Sequence, residues 1–140
     1  INWNMMDLYI DDIDSDRCIL YNGSINNPFV SIKNIDKIKI GEEVFAVGNP
    51  EGFPGVLTSG IVQRIHKPNA QPYRYPTEMI QTNTHIRHGN SGGGLYDLNA
   101  NLIGITTSGQ GFLKDGDDTM RATNPFNFAI AAERYINLFK

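Results

Sequence analysis

Short apolar runs alternate with clusters of Gly, Pro, Asn and Asp along the whole chain, the pattern of an all-β domain. Leu8–Ile10 and Cys18–Tyr21 are predicted as strands on either side of an acidic stretch holding Asp11, Asp12, Asp14 and Asp16. Phe29–Ile32 reads as a short strand. Glu43–Val47 reads as another, closed by the breaker run Gly48-Asn49-Pro50-Glu51-Gly52-Phe53-Pro54-Gly55. Val56–Ile65 follows as a strand that tolerates Gly60, then a polar, proline-bearing loop and the strand Glu78–Thr82. Leu95–Asp97 and Leu102–Thr107 read as a hairpin around the turn-prone Leu98-Asn99-Ala100-Asn101. After a Gly- and Asp-rich loop, Ser108–Asp118, come a last strand, Phe126–Ile130, and a short closing helix in Ala131–Phe139, where Tyr135, Ile136 and Phe139 share one face. About eight strands at hairpin spacing predict a β-barrel or sandwich.

The 140 residues suffice for one domain with its own core. A net charge of −3 argues against a nucleic-acid surface, which needs a basic excess. The apolar runs fall far short of the roughly 20 residues that span a bilayer. No basic segment followed by an apolar one opens the chain, but a start at Ile1 rather than Met leaves a signal peptide undecided. The single cysteine, Cys18, excludes an internal disulfide and reads as a small buried side chain. His66, between a strand and a loop, reads as a surface residue.

Chemistry concentrates in Gly89-Asn90-Ser91-Gly92-Gly93-Gly94. Glycines in such number prevent a helix or a regular strand interior, because their backbone freedom is costly to restrict. A serine at the apex of a tight turn exposes its hydroxyl and turns its own N–H into the same space. Gly89 can bring a second N–H alongside. Two such donors stabilise the oxyanion of acyl transfer, and losing one costs about 3–4 kcal/mol of barrier. The plain alternative is a glycine-rich hairpin turn without function.

The neighbouring residues decide between these. Gln81-Thr82-Asn83-Thr84-His85-Ile86-Arg87-His88-Gly89-Asn90-Ser91-Gly92-Gly93-Gly94-Leu95 resembles the nucleophile segment of HtrA/Do-type serine proteases. Ile40–Pro50 followed by Leu57-Thr58-Ser59-Gly60-Ile61-Val62 resembles that family's GNP and TSGIV run. Leu102-Ile103-Gly104-Ile105 and Asn127-Phe128-Ala129-Ile130 resemble its two later strands. The resemblance implies a chymotrypsin-like β-barrel fold with a short C-terminal helix. Residues 1–36 would be the remainder of the first barrel and a linker, and residues 37–140 the second barrel and the helix. It implies a serine endopeptidase acting on polypeptides without metal or organic cofactor. Ser91 would be the nucleophile, the N–H groups of Gly89 and Ser91 the oxyanion hole, and Asp16 of Asp16-Arg17-Cys18-Ile19-Leu20 the triad carboxylate, with Asp14 in reserve. Arg17 departs from the apolar residue that the family's motif has there.

The family's base histidine comes from the first barrel, and counting back from Asp16 passes the start of the chain. His85 and His88 lie on the specificity-pocket side of the nucleophile and are expected there as substrate-binding residues, with Asn127, Phe128 and Ala129. Two histidines without a third ligand do not make a metal site. The base is therefore expected from a missing N-terminal segment or partner chain, and these residues alone should hydrolyse poorly. A pseudoprotease that only binds peptides is the alternative. His85, six residues before Ser91, replaces the aspartate that selects basic residues, and Phe128 and Ile130 suggest a pocket for small or medium apolar side chains. The loop Ser108–Asp118 would border the substrate groove. By analogy the family implies a secreted or periplasmic location. Its frequent PDZ domain and trimeric assembly are not carried over.

Overall fold

The computed structural model describes residues 5–69, 76–107 and 127–139. An antiparallel hairpin comes first: β1 (Asp7–Asp12) and β2 (Arg17–Tyr21) are joined by a 3-10 turn over Ile13–Ser15. It stands as a separate two-stranded sheet. Six further strands follow, β3 (Glu43–Gly48), β4 (Val56–His66), β5 (Met79–Thr82), β6 (Gly94–Asp97), β7 (Leu102–Thr107) and β8 (Asn127–Ala131). They close into a barrel in the order β3-β4-β5-β8-β7-β6, every neighbour antiparallel and β6 returning to β3. Closure leaves no barrel strand with an open edge. Helix α1 (Glu133–Ile136) and a 3-10 turn over Asn137–Phe139 end the described chain.

Strand alternation sorts the side chains into two layers. Val44, Ala46, Val62, Ile80, Leu95, Ile103, Ala129 and Ala131 form the buried interior, with Ile35 and Ile38 of the preceding segment packed against it. Each fully buried Val, Leu or Ile contributes about 1.5–3 kcal/mol of transfer free energy. The intervening positions face outward. Phe45 and Tyr96 stack there at 5.4 Å. Met79, Phe128 and Ile130 form a second cluster with Tyr135 of α1 lying on it.

Polar contacts tie the ends together. Lys33 Nζ lies 3.1 Å from both Glu42 Oε2 and Asp97 Oδ2. Asp97 also accepts from the N–H groups of Asn99 and Asn101, which holds the β6–β7 turn. Glu133 accepts from the Ile35 N–H at 2.8 Å, and Arg134 grips Glu78 with two nitrogens at 2.6 and 2.7 Å.

Four expectations change. Phe29–Ile32 is not a strand: only Ile32 bridges to Leu102, because farther along β7 is paired on one side by β6 and on the other by β8. The closing helix is confined to Glu133–Ile136, since Ala131 belongs to β8. His66 is buried, at 8% exposure, because it sits edge-on to Phe128 and shares a 2.9 Å hydrogen bond with Gln81 Oε1. Cys18 is exposed, because the alternation of β2 turns Cys18 and Leu20 to the side of the hairpin that lines a cleft. No helix among the described residues is long and apolar enough to cross a membrane.

Candidate active site

The segment from Asn83 to Gly93 leaves β5, runs back beside β4, and turns sharply before β6. Two contacts at its start set its course: Asn83 Oδ1 accepts from the Ile61 N–H at 2.8 Å, and Thr58 donates to the His85 carbonyl at 3.0 Å. The loop after β3 then takes hold of it. The Glu51 N–H donates to the His88 carbonyl at 3.1 Å, and the Asn49 N–H to the Gly89 carbonyl at 3.3 Å. A trans peptide points its N–H opposite its C=O. Fixing the His88 carbonyl on Glu51 therefore turns the Gly89 N–H away from that loop. Gly89 adopts φ +95°, and a Cβ there would stand 2.3 Å from the Asn49 carbonyl oxygen, so only glycine fits.

The far side of the turn is secured by β7. The Gly92 N–H donates to the Thr106 carbonyl at 2.7 Å, and the Thr106 N–H to the Gly93 carbonyl at 2.8 Å. The Thr106 hydroxyl, fully enclosed, lies on the Asn90 carbonyl and 3.2 Å from that of Gly93. Ser91 stands exposed at the apex. Among the described residues, the N–H groups of Gly89 and Ser91 have no acceptor.

Asp16 arrives from the hairpin. It takes a left-handed conformation, φ 54°, at the end of the 3-10 turn, and its Oδ2 accepts from the Thr107 hydroxyl at 2.8 Å. Asp16 and Ser91 both line one cleft of about 600 Å³, whose walls include Cys18, Ile105, Thr107 and Tyr135. Burial first, and then the negative charge of Asp16, push the Tyr135 phenol up to about 12, so it stays neutral at physiological pH. Asp12 sits in the same turn. The Ser15 hydroxyl and then the Arg17 guanidinium hold its carboxyl below the ordinary value.

The other anticipated residues lie elsewhere. Asp14 is exposed on the 3-10 turn and does not line the cleft. His85 and His88 are exposed, and the Arg87 Nε–H donates to His85 Nε2. His85, Arg87 and Asn90 line a smaller cavity of about 280 Å³ on the side of the turn facing Phe53 and Val56. Asn127 donates to the Thr84 carbonyl at 3.0 Å, tying the start of β8 to the segment that leads to Ser91. Phe128 turns out against Met79 and Ala129 lies inside the barrel; of the two apolar residues anticipated as pocket wall, Ile130 lines the cleft and Phe128 does not. Phe126 and Ser108–Asp118 lie outside the described residues. Among the described residues, no three His, Cys, Asp or Glu side chains are grouped to hold a metal ion.

Sequence reasoning missed Thr106, Thr107, Asn49 and Glu51. Nothing in their types marks them, because Asn49 and Glu51 act through backbone N–H groups and the threonine hydroxyls find their partners only once β7 lies beside the turn and the hairpin.

A closed six-stranded antiparallel barrel with an exposed serine turn and an aspartate facing the same cleft defines the class, and the comparisons agree. The profile of the trypsin-like peptidase domain matches residues 8–105, and the chain belongs to that family; within it, the likeness is to proteins of the HtrA type. It is 40% identical over 79 residues to the probable periplasmic serine endoprotease DegP-like of Buchnera aphidicola subsp. Baizongia pistaciae, covering 56% of this chain and 17% of that protein. It is 39% identical over 101 residues to the periplasmic pH-dependent serine endoprotease DegQ of Escherichia coli, covering 69% of this chain and 21% of the relative. Among solved structures, the HtrA-type protease AlgW with a decapeptide superposes with a TM-score of 0.75 at 29% identity, covering 95% of this chain and 38% of AlgW. The chain thus spans about a fifth of the length of the curated relatives it matches.

Proposed function

We propose that this chain carries the nucleophile and the acidic member of a serine endopeptidase triad, and that the base histidine is supplied by a segment outside these residues. The observation that carries the reading is the shared cleft of about 600 Å³, which Asp16 and Ser91 both line. In this reading the histidine takes the Ser91 proton as the hydroxyl attacks the substrate carbonyl, and later returns it to the leaving amine. Asp16 holds the imidazole and stabilises its cation. The N–H groups of Gly89 and Ser91, without an acceptor among the described residues, receive the oxyanion. The substrate is a polypeptide, consistent with the peptide bound by AlgW, and the residue before the cut is small or medium and apolar.

The hairpin supports a division of the chain in which residues 1–36 complete a first barrel and residues 37–140 form the second. The hairpin's two strands pair with each other and, among the described residues, with no barrel strand, and Leu8 and Leu20 are about half exposed or more. Such a sheet is marginal by itself. Without the base, the chain alone turns over several orders of magnitude more slowly.

Fluorophosphonate labelling tests the reading. Full-length protein should be labelled at Ser91, Ser91→Ala should not, and residues 1–140 alone should react far more slowly. Full-length protein that binds peptide but resists the probe would establish a peptide-binding pseudoprotease instead. A peptide library read for the residue before the cut tests the pocket, and dominance of Lys, Arg or Glu would overturn the apolar preference.

A further inference from the structure

We infer that Arg17 is a positioning residue for this reaction: it pins the turn carrying Asp16 to helix α1 and so sets where the Asp16 carboxylate stands relative to Ser91. The inference rests on the reading of Ser91 and Asp16 given above, and it concerns the residue at which this chain departs from the motif.

The geometry is specific. Arg17 is enclosed, its side chain 12% exposed. Nη1 donates to the Arg134 carbonyl at 2.6 Å, and Nη2 donates to Asp12 Oδ2 at 2.6 Å and reaches Ser15 Oγ at 3.3 Å. One planar group thus joins the last residue of β1, the buried serine of the turn and the backbone of α1. Arg134 is in turn held by Glu78, the residue before β5, through two charge-assisted bonds. A continuous path of hydrogen bonds runs from the turn beside Asp16 to the barrel wall.

That path matters because the hairpin has few other ties. Among the described residues, hydrogen bonds join it to the rest of the protein at two places, Asp16 to Thr107 and Arg17 to Arg134. Asp16 also holds a left-handed backbone conformation. For a residue with a Cβ this conformation persists where the surroundings hold it. An apolar side chain at position 17 would pack without direction, whereas the guanidinium fork fixes both distance and angle. A displacement of a catalytic group by about 1 Å lowers the rate by up to about 10²-fold. Anchoring of this kind is therefore visible in kinetics.

The test is a double-mutant cycle in the full-length protein, combining Arg17→Met with Asp16→Asn. Arg17→Met keeps most of the apolar stem and removes every donor. Peptide turnover, fluorophosphonate labelling of Ser91 and thermal melting are measured together. Arg17→Met should lower kcat and the labelling rate about 10- to 100-fold while leaving KM within about twofold. Arg17→Lys, which keeps one charged donor, should recover part of the loss. In the Asp16→Asn background Arg17→Met should do nothing more, because its effect passes through that carboxylate. Parental kcat in Arg17→Met, or an equal loss in both backgrounds, overturns the inference. If Asp16→Asn itself keeps parental turnover, or Ser91 is not labelled, the reading of the site has failed and the inference falls with it. Should Arg17→Met melt below the assay temperature, Asp12→Ala frees one arm of the guanidinium and is carried through the same cycle under the same criteria.

Discussion

The Thr107 hydroxyl donates to the Asp16 carboxylate across 2.8 Å, although 91 positions separate the two residues in the chain. The contact joins the last residue of β7 to the tip of the separate hairpin. It aligns Asp16 with the strand that also secures the nucleophile turn through Thr106. One strand end therefore references both members of the proposed pair.

Thr107→Val removes that donor and keeps the side-chain shape. Turnover of the full-length protein should fall roughly 10-fold, the equivalent of one hydrogen bond to a charged acceptor. Thr107→Ser should restore it. Steady-state kinetics decide the matter, and a Val variant as active as the parent would remove Thr107 from the mechanism.

Gly89→Ala sets a methyl group against the Asn49 carbonyl at a backbone angle that alanine resists. The turn must move, and with it the Gly89 N–H. Labelling of Ser91 should slow by about 10²-fold or more, the loss of one oxyanion donor. Because the barrel closes without this residue, circular dichroism should keep its strand signature. A variant labelled at the parental rate would show that this N–H contributes nothing.

Thr106 is buried with its hydroxyl on the Asn90 and Gly93 carbonyls. Thr106→Val leaves both carbonyls without that donor and should cost about 1–3 kcal/mol of stability. Chemical denaturation measures it, with Thr106→Ser expected close to the parent. Equal midpoints for Val and Thr would mean that the backbone pairing alone holds the turn.

Asp97 supplies a pH signature. Burial pushes its carboxyl up, but the side chain and N–H of Asn101, together with Lys33 and Asn99, hold it below the ordinary value. A group depressed in the folded state stabilises above its unfolded pKa, about 3.9 for Asp, and loses that contribution as pH falls through the folded value. The parent should therefore lose melting temperature more steeply than Asp97→Asn as pH drops below about 4. At pH 7 the Asn variant should be less stable by about 1–3 kcal/mol. Parallel melting curves for the two proteins across that range would contradict the assignment.

The elements that the sequence predicted well are those whose physics is local. Short apolar runs bounded by Gly, Pro, Asn and Asp marked β3, β4, β7 and β8 to within a residue or two. The Gly89–Gly94 run announced a sharp turn, and Ser91 stands exposed at its apex. The hairpin Leu95–Thr107 followed from its Asn-rich connection.

What tertiary structure alone decided depends on partners distant in sequence. Phe29–Ile32 looked like a strand, but β7 had no free edge beyond Leu102 to pair with it. His66 looked like a loop residue until Phe128 and Gln81 enclosed it. Cys18 looked buried because its neighbours are apolar, yet which face of a two-stranded ribbon is covered depends on what packs against it. The use of Arg17 required Arg134, far along the chain, to present a carbonyl. Residue types along a chain specify which elements form; which of their faces meet, and hence which side chains share a cleft, is settled only when loops are closed and strands are paired.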